Sequence, residues 1–526
     1  MQATNAHSFE KEELISLLEN IVGKTLEQID TKGILASVEK HKLQKGIAGA
    51  IIEQCVLGYP PDNAQRADLI VKEDGNSIPT ELKTTGIKKR GRGNKDFIAK
   101  EPMSITAVGV YDIANQTFDK SHFLEKIQHL LIVYYQYLAD APVPPSEYAP
   151  FPVKGYEFHQ FNNDDMETLK QDWMLVHDLC EKIVSNYPGT RDKTWKKNVR
   201  QEYIDKHSKL RKSLSFVELV PRFPPRFRLK KPVVDAIVAN YFGTKLETLP
   251  GKYTTVSDID KKCDELKIKY AGSSIEELAR LFGVPTRTPD DRENKGIAEQ
   301  IIVKMFGGKS KKLNRIELFQ KFGLIAKTIT LTPSGGRTED MKLFHIDFDE
   351  MTKKEYHDEE GTVRSFEFED SELYEYFAGN EFLCILFEEP SKQYETDPIT
   401  GCRKEVKHPL AMNKFLGFQR LVFSDEFINS SVRRCWEDTR LKIFNKTLVD
   451  VIQRRQDGSE VLLGNGEVSS APNFIKSSQN PVFIRGGGED SSAANKTECV
   501  NEIKMLPQFI WLKGCAVVEE LKLQRK

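Results

Sequence analysis

Two carboxylates and a lysine in the first hundred residues form the pattern best suited to chemistry. Asp68 opens the stretch ADLIVKEDGNSIPTELKTT, and Glu81 and Lys83 stand near its end as Glu-x-Lys. Hydrolysing a phosphodiester requires a water brought toward hydroxide and a dispersed negative charge neutralised. Clustered carboxylates that hold Mg²⁺ beside a lysine meet both needs. Glu53, at the end of KGIAGAIIE, adds a third carboxylate. Such a set, acidic oxygens and an ammonium without histidine, suits a hard cation rather than zinc. Spacing alone does not decide the matter, because exposed strands often carry alternating charge.

The elements that must hold these residues are legible nearby. The Asp-Gly-Asn turn at Asp74 to Asn76 predicts a hairpin of two strands, with Asp68 at the start of the first. Glu81 and Lys83, at i and i+2 on the second strand, then share one face of the sheet. SFEKEELISLLENIVG and KGIAGAIIEQCVLG carry apolar residues at helical spacing, and LLIVYYQYL reads as a buried strand. The fold class expected is α+β, a mixed sheet flanked by helices.

The chain repeats itself. KGIAGAIIE from Lys45 and KGIAEQIIV from Lys295 are identical at six of nine positions. Further pairs follow in unbroken order: ELKTT with IAKTI, SHFLEKIQHLLIVYY with SELYEYFAGNEFLCILF, LKQDW with VRRCW, and FRLKKPVV with IWLKGCAV. We therefore expect two homologous domains, 1–245 and 262–526, joined by a linker over 246–261. The second would be enlarged by an acidic insert between His345 and Tyr376 and by a Gly/Ser/Asn-rich run from Gly458 to Asn495 that reads as a mobile loop. In the second copy Val303 faces Glu53, Ile325 faces Glu81, and Asp68 has no evident counterpart. Frame without carboxylates is what loss of one active site after duplication would leave.

The ordered set KGIAGAIIE, ADLI, TELKTT, SHFLEKI, LKQDW and FRLKKPVVDAIVANYF resembles the MutH family of DNA endonucleases across essentially the whole first domain. The tandem arrangement is similar to the MutH-like type II restriction endonucleases that cut at GATC. The resemblance implies a restriction-endonuclease-like, PD-(D/E)XK core in each half and a Mg²⁺-dependent deoxyribonuclease activity. It assigns Asp68 and Glu81 as metal ligands, Glu53 as assisting them, and Lys83 as orienting or deprotonating the attacking water. Lys45 and Lys126 match family lysines near the centre. The second domain would bind DNA, or another copy of the site, and regulate cleavage. A strand-nicking repair nuclease and a non-catalytic DNA-binding protein remain the alternative readings.

Net charge is −1 over 526 residues, yet the basic charge is concentrated. Lys88, Lys89, Arg90 and Arg92 follow directly on the Glu-x-Lys strand. From Arg191 to Lys231 there are fourteen Lys/Arg against four Asp/Glu, interleaved with aromatic residues. Lys209, Arg211 and Lys212 are candidates for base or phosphate contact, as are Arg228, Lys230 and Lys231 in the closing element. Double-stranded DNA is the partner expected. Cutting both strands with one centre requires either a second copy of the chain on the DNA or rebinding after a first nick. Eight scattered cysteines show no zinc-ligand spacing and read as idle thiols. No apolar run approaches a membrane span, the first residues show no secretory pattern, and a cytoplasmic location is expected.

Overall fold

The computed structural model describes the chain except residues 1–6, 42–45, 61–65, 90–95, 139–144, 190, 212, 220–224, 245, 338, 347, 353, 358–362, 397–402, 407, 456, 489 and 524–526. In the first half a mixed sheet is built from β1 (Ser8–Glu10), β2 (Leu69–Glu73), β3 (Asn76–Lys89), β4 (Phe97–Ala99), β6 (Leu130–Gln136) and β7 (Val153–His159). Its order is β1-β2-β3-β6-β7, with β4 paired to the far end of β3. β1 runs parallel to β2, β2 antiparallel to β3, β3 parallel to β6, and β6 antiparallel to β7. A smaller sheet joins β5 (Met103–Ala107) and β8 (Val217–Leu219) on either side of β9 (Arg226–Leu229).

The hairpin forms where expected because its turn suits left-handed backbone. Asp74 and Gly75 have φ of 50° and 78°, the pairing of signs a two-residue hairpin turn requires. The expected N-terminal helix is shorter than its pattern: Ser8–Glu10 is strand, burying Phe9 against β2, and α1 covers Lys11–Glu19 with Leu14 and Leu18 inward. KGIAGAIIE continues as α2 (Ile47–Ile51) and then a π turn over Ile52–Val56 that contains Glu53. α3 (His122–Ile127) precedes β6, and α4 (Asn163–Asn186), α5 (Lys193–Arg211) and α6 (Lys231–Tyr241) follow the sheet.

β6 is buried on both faces, and the alternation divides the core. Leu131, Val133 and Tyr135 face a cluster with α1 and α2, while Leu130, Ile132 and Tyr134 face one with Trp173 and Phe227. That second cluster continues into the other half of the chain through α7 (Val256–Tyr270), α8 (Ile297–Met305) and α9 (Glu317–Lys321). It reaches one face of a further sheet, β10 (Leu324–Leu331), β11 (Glu381–Glu388) and β12 (Lys414–Leu421), of which Leu383, Ile385 and Phe387 belong to it. The two halves share this middle core.

The expected linker over 246–261 is not a tether. Glu247 accepts from the amides of Lys309 and Ser310 at 2.6 and 2.7 Å, and α7 starts at Val256 behind a Thr255–Asp258 capping box. Lys321 spans the junction to Asp165 at 2.8 Å. Nor is the 458–495 run a mobile loop. Its backbone closes on itself, with Val461 donating to Gln453 at 2.9 Å, Ser469 to Val461 at 2.7 Å, and Leu463 to Glu467 at 2.8 Å. Small polar residues there serve turns rather than disorder.

One buried polar knot ties the first half together. Asp172 on α4 accepts from the amides of Ser215, Phe216 and Val217 at 2.7, 2.6 and 2.9 Å. Lys230 closes the same segment by donating to the carbonyl of Leu214 at 2.6 Å. Replacing Asp172 by Ala strands three buried donors. The expected loss is about 3 kcal/mol or more of stability, read as a lower urea midpoint at unchanged slope. A change below about 0.5 kcal/mol would show that the knot is not needed.

Candidate active site

The centre lies where β2, β3 and α3 meet. Glu81 is 3% exposed, pinned by its amide to the carbonyl of His129 at 2.9 Å and placed opposite Leu130 in the β3–β6 ladder. Lys83, two residues on, shares its face and donates to Glu81 Oε1 at 2.9 Å. Asp68 stands immediately before β2. Its Oδ2 accepts from the Leu82 amide at 2.9 Å, and its carbonyl meets His7 Nδ1 at 2.8 Å. These contacts fix the carboxylate against the strand that bears Glu81.

Lys126 reaches the same point from α3, whose start is capped by Ser121 accepting from Leu124 N at 3.1 Å. Its Nζ lies 2.8 Å from Glu81 Oε2, 2.8 Å from the Arg66 carbonyl and 4.0 Å from Asp68 Oδ1. Each oxygen of Glu81 therefore holds one lysine, and Lys126 bridges toward Asp68. Burial, and then the charge of Glu81, push the Asp68 carboxyl up to about 6, against the opposing pull of Lys126 and Lys83. Two carboxylates and two ammoniums balance in formal charge, and burial is what chiefly disfavours the ionised Asp68.

The donor set is the test of fit for a divalent cation. Oxygen donors alone, on two adjacent carboxylates whose ionised forms repel, suit a hard cation, and the Lys126 ammonium stands between the two carboxylates as such an ion would. Asp68 and Glu81 are the residues that would hold it. Glu53 lies in its π turn, half-buried, with its carbonyl accepting from Tyr59 N at 3.2 Å. Among the described residues, the only three carboxylate, imidazole or thiol ligands within 4.8 Å of one another are His177, Asp178 and Glu181 on the surface of α4. Glu53 thus does not complete a three-carboxylate cluster here.

The basic residues separate into groups. Lys88 is half-buried, with Nζ 5.1 Å from the Tyr137 ring centroid, and Lys89 is exposed at the end of β3. Arg228 is paired with Glu218 on β8, and Lys231 with Asp235 at 3.1 Å. Lys230, expected to meet DNA, is buried and spent on the Leu214 carbonyl; a lysine before a helix that closes a core can reach an orphan carbonyl more readily than solvent. Lys45, Arg90, Arg92 and Lys212 lie outside the described residues, as do the side chains of Lys209 and Arg211 in α5. His7, stacked on Tyr59 at 4.1 Å, was not foreseen. It supports Asp68 across a gap of 61 residues, and no local pattern announces such a contact.

The second half presents the same strand directions, β10 parallel to β11 and β11 antiparallel to β12. Even the bulge recurs: the ladder shifts between Tyr134 and Tyr135 in β6 and between Leu386 and Phe387 in β11. Counting from those bulges, Lys327 opposite Cys384 occupies the register of Lys83 opposite Ile132, and Ile325 that of Glu81. Counting from the capping serines Ser121 and Ser371, Tyr376 takes the place of Lys126. Where β2 carries Asp68 toward β3, the second half has the short helix α9.

Two comparisons bear on this geometry. The chain is similar to the type II restriction enzyme Sau3AI of Staphylococcus aureus, with 22% identity over 454 residues, covering 82% of this chain and 84% of that protein. Residues 57–172 match the family described as DNA mismatch repair enzyme MutH. The matched span contains Asp68, Glu81, Lys83 and Lys126 together.

Proposed function

We propose that this chain is a restriction endonuclease that hydrolyses double-stranded DNA with Mg²⁺ at the Asp68–Glu81 centre. The observation that carries the reading is the convergence of Asp68, Glu81, Lys83 and Lys126 from three elements onto one buried point. A divalent cation held by the two carboxylates supplies charge neutralisation at the phosphodiester and makes water more acidic. Lys83, held at Glu81 on the face of β3, orients the attacking water and stabilises the charge that develops on the phosphate. Lys126 balances the carboxylates and is close enough to turn to a phosphate oxygen. Lys45 and Glu53 belong to the same reading as supporting residues.

The two halves read as tandem MutH-like domains, the second without a catalytic centre. Matching strand directions, bulge positions and capping serines support duplication, and the absence of carboxylates at the matching register supports inactivity. The second half is then a DNA-binding and regulatory unit. GATC as the site of cleavage follows from the resemblance to the tandem family. Lys88, Lys89, Arg90, Arg92, Lys209, Arg211, Lys212, Arg228 and Lys231 remain DNA-contact candidates, while Lys230 is withdrawn from that set. The match to a mismatch-repair enzyme favours one second reading, a nickase that waits on partner proteins.

Purified chain incubated with plasmid and Mg²⁺ is expected to give linear fragments whose sequenced ends share one site. Asp68→Ala and Lys83→Ala should each lower the rate by about 10²–10³-fold or more while leaving the fold unchanged. Nicked product alone supports the repair reading, and no Mg²⁺-dependent change removes both.

Acidity supplies a separate check. With Asp68 raised to about 6, a proton competes with the cation below that pH and no longer does above it. The Mg²⁺ concentration giving half-maximal rate is expected to rise about tenfold per pH unit below pH 6 and to level off above. A requirement flat between pH 5 and 7 would show that no carboxyl titrating near 6 holds the ion.

A further inference from the structure

Asp68 stands one residue outside the sheet that presents it. The β2–β3 ladder begins at Leu69 opposite Thr80, and the β1–β2 ladder at Ser8 opposite Ile70. The Asp68 main chain therefore lies beyond the reach of either ladder, and His7 takes over there. Its Nδ1 meets the Asp68 carbonyl at 2.8 Å, and its own carbonyl accepts from the Ile70 amide at 2.8 Å. A carbonyl oxygen only accepts, so Nδ1 carries the proton in this contact. One residue thus grips the chain on both sides of Leu69, whose side chain is buried in the core.

The grip is itself braced. The His7 imidazole stacks on the buried Tyr59 ring, 4.1 Å between centroids and 20° between planes. The Tyr59 amide donates to the Glu53 carbonyl at 3.2 Å, which ties that ring to the π turn. A ring held by packing aims its N–H before any ligand arrives. On the other side of Asp68, Oδ2 takes the Leu82 amide at 2.9 Å and Oδ1 faces Lys126 Nζ at 4.0 Å. A shift of the Asp68 main chain by about 0.5 Å is enough to spoil such a geometry. The strand itself does not depend on the imidazole, because β1 pairs with β2 from Ser8 to Glu10 and Phe9 enters the core.

We propose that His7 is a positioning residue for the metal-binding carboxylate, acting through the hydrogen bond it donates to the Asp68 carbonyl. The inference rests on the reading that Asp68 and Glu81 hold a divalent cation, and adds the residue that sets the direction of one ligand. Outer hydrogen bonds of this kind orient a ligand that the cation alone does not orient. Because His7 meets the main chain, it occupies no carboxylate lone pair, and both Asp68 oxygens keep lone pairs for the ion.

The test titrates the full chain with Mn²⁺ and follows the loss of the free-ion EPR signal, so that binding is read without cleavage. The parent is expected to show a binding event that Asp68→Asn abolishes. His7→Ala and His7→Phe should each weaken that event about 10–100-fold while the far-ultraviolet circular dichroism stays that of the parent. His7→Phe keeps a ring against Tyr59 and lacks the donor. His7→Asn supplies an N–H near the position of Nδ1 and is expected to recover most of the affinity. The comparison of Phe with Asn separates the donated bond from packing, and it stands on its own if the alanine variant unfolds. Binding by His7→Phe equal to the parent's, or a loss in His7→Asn as large as in His7→Phe, would overturn the positioning role while the metal centre stands. A parent in which no Mn²⁺ event responds to Asp68→Asn would overturn the reading on which that role rests.

Discussion

Bringing the two carboxylates of Asp68 and Glu81 together out of water is the constraint on which the first half is organised. Like charges about 4 Å apart repel by about 4 kcal/mol near a protein surface, and an ammonium at the same range returns a similar amount. Two lysines are accordingly delivered to the point, Lys83 along the same strand and Lys126 from the last turn of α3. Burial, with Glu81 beside it, still holds the Asp68 carboxyl up to about 6. A divalent cation, as proposed, would relieve that repulsion.

The same frame occurs without that point. In the second half the strand directions, a bulge and a serine-capped helix recur, with Ile325 at the register of Glu81 and Tyr376 at that of Lys126. Backbone ladder and apolar alternation therefore do not need the carboxylates, whose retention in the first half requires another explanation. The catalysis proposed above would supply it. At the register of Lys83 stands Lys327, with Ile325 rather than a carboxylate two residues before it.

What the sequence disclosed follows from the range of each interaction. The Asp74–Gly75 turn, the i, i+2 placement of Glu81 and Lys83, and the all-apolar β6 are local patterns, and each takes the form its residues predict. Contacts between distant segments were hidden. Nothing in SHFLEKI says that Lys126 would meet Glu81 rather than solvent; only the resemblance pointed there, and the pairing with Arg66 and Glu81 shows how it is held. Composition misled in two places. A lysine pair at Lys230 and Lys231 looks like surface charge, but the first closes a buried carbonyl. The Gly/Ser/Asn run around Gly464 looks like a loose loop, yet its small side chains permit tight, internally bonded turns. Glu53 shows a third limit, since helical spacing does not foresee the π turn in which it lies.

The shared middle core decides how the halves can influence one another. β6 and β11 each give one face to the same cluster, and α9 packs into it between them. Lys321 ties α9 to Asp165 on α4, four residues from the Leu169 that enters the core and seven from Asp172, which fixes the segment leading to β9. A rigid-body shift of the second half must therefore move α4 or break an ion pair that has little exposure. Coupling in such an arrangement does not need a flexible tether; it needs two packings of one interface with different affinity for DNA. The junction expected as a linker is instead part of that interface, with Glu247 and the Thr255 cap holding it closed. A regulatory second half, as proposed, would act through this core.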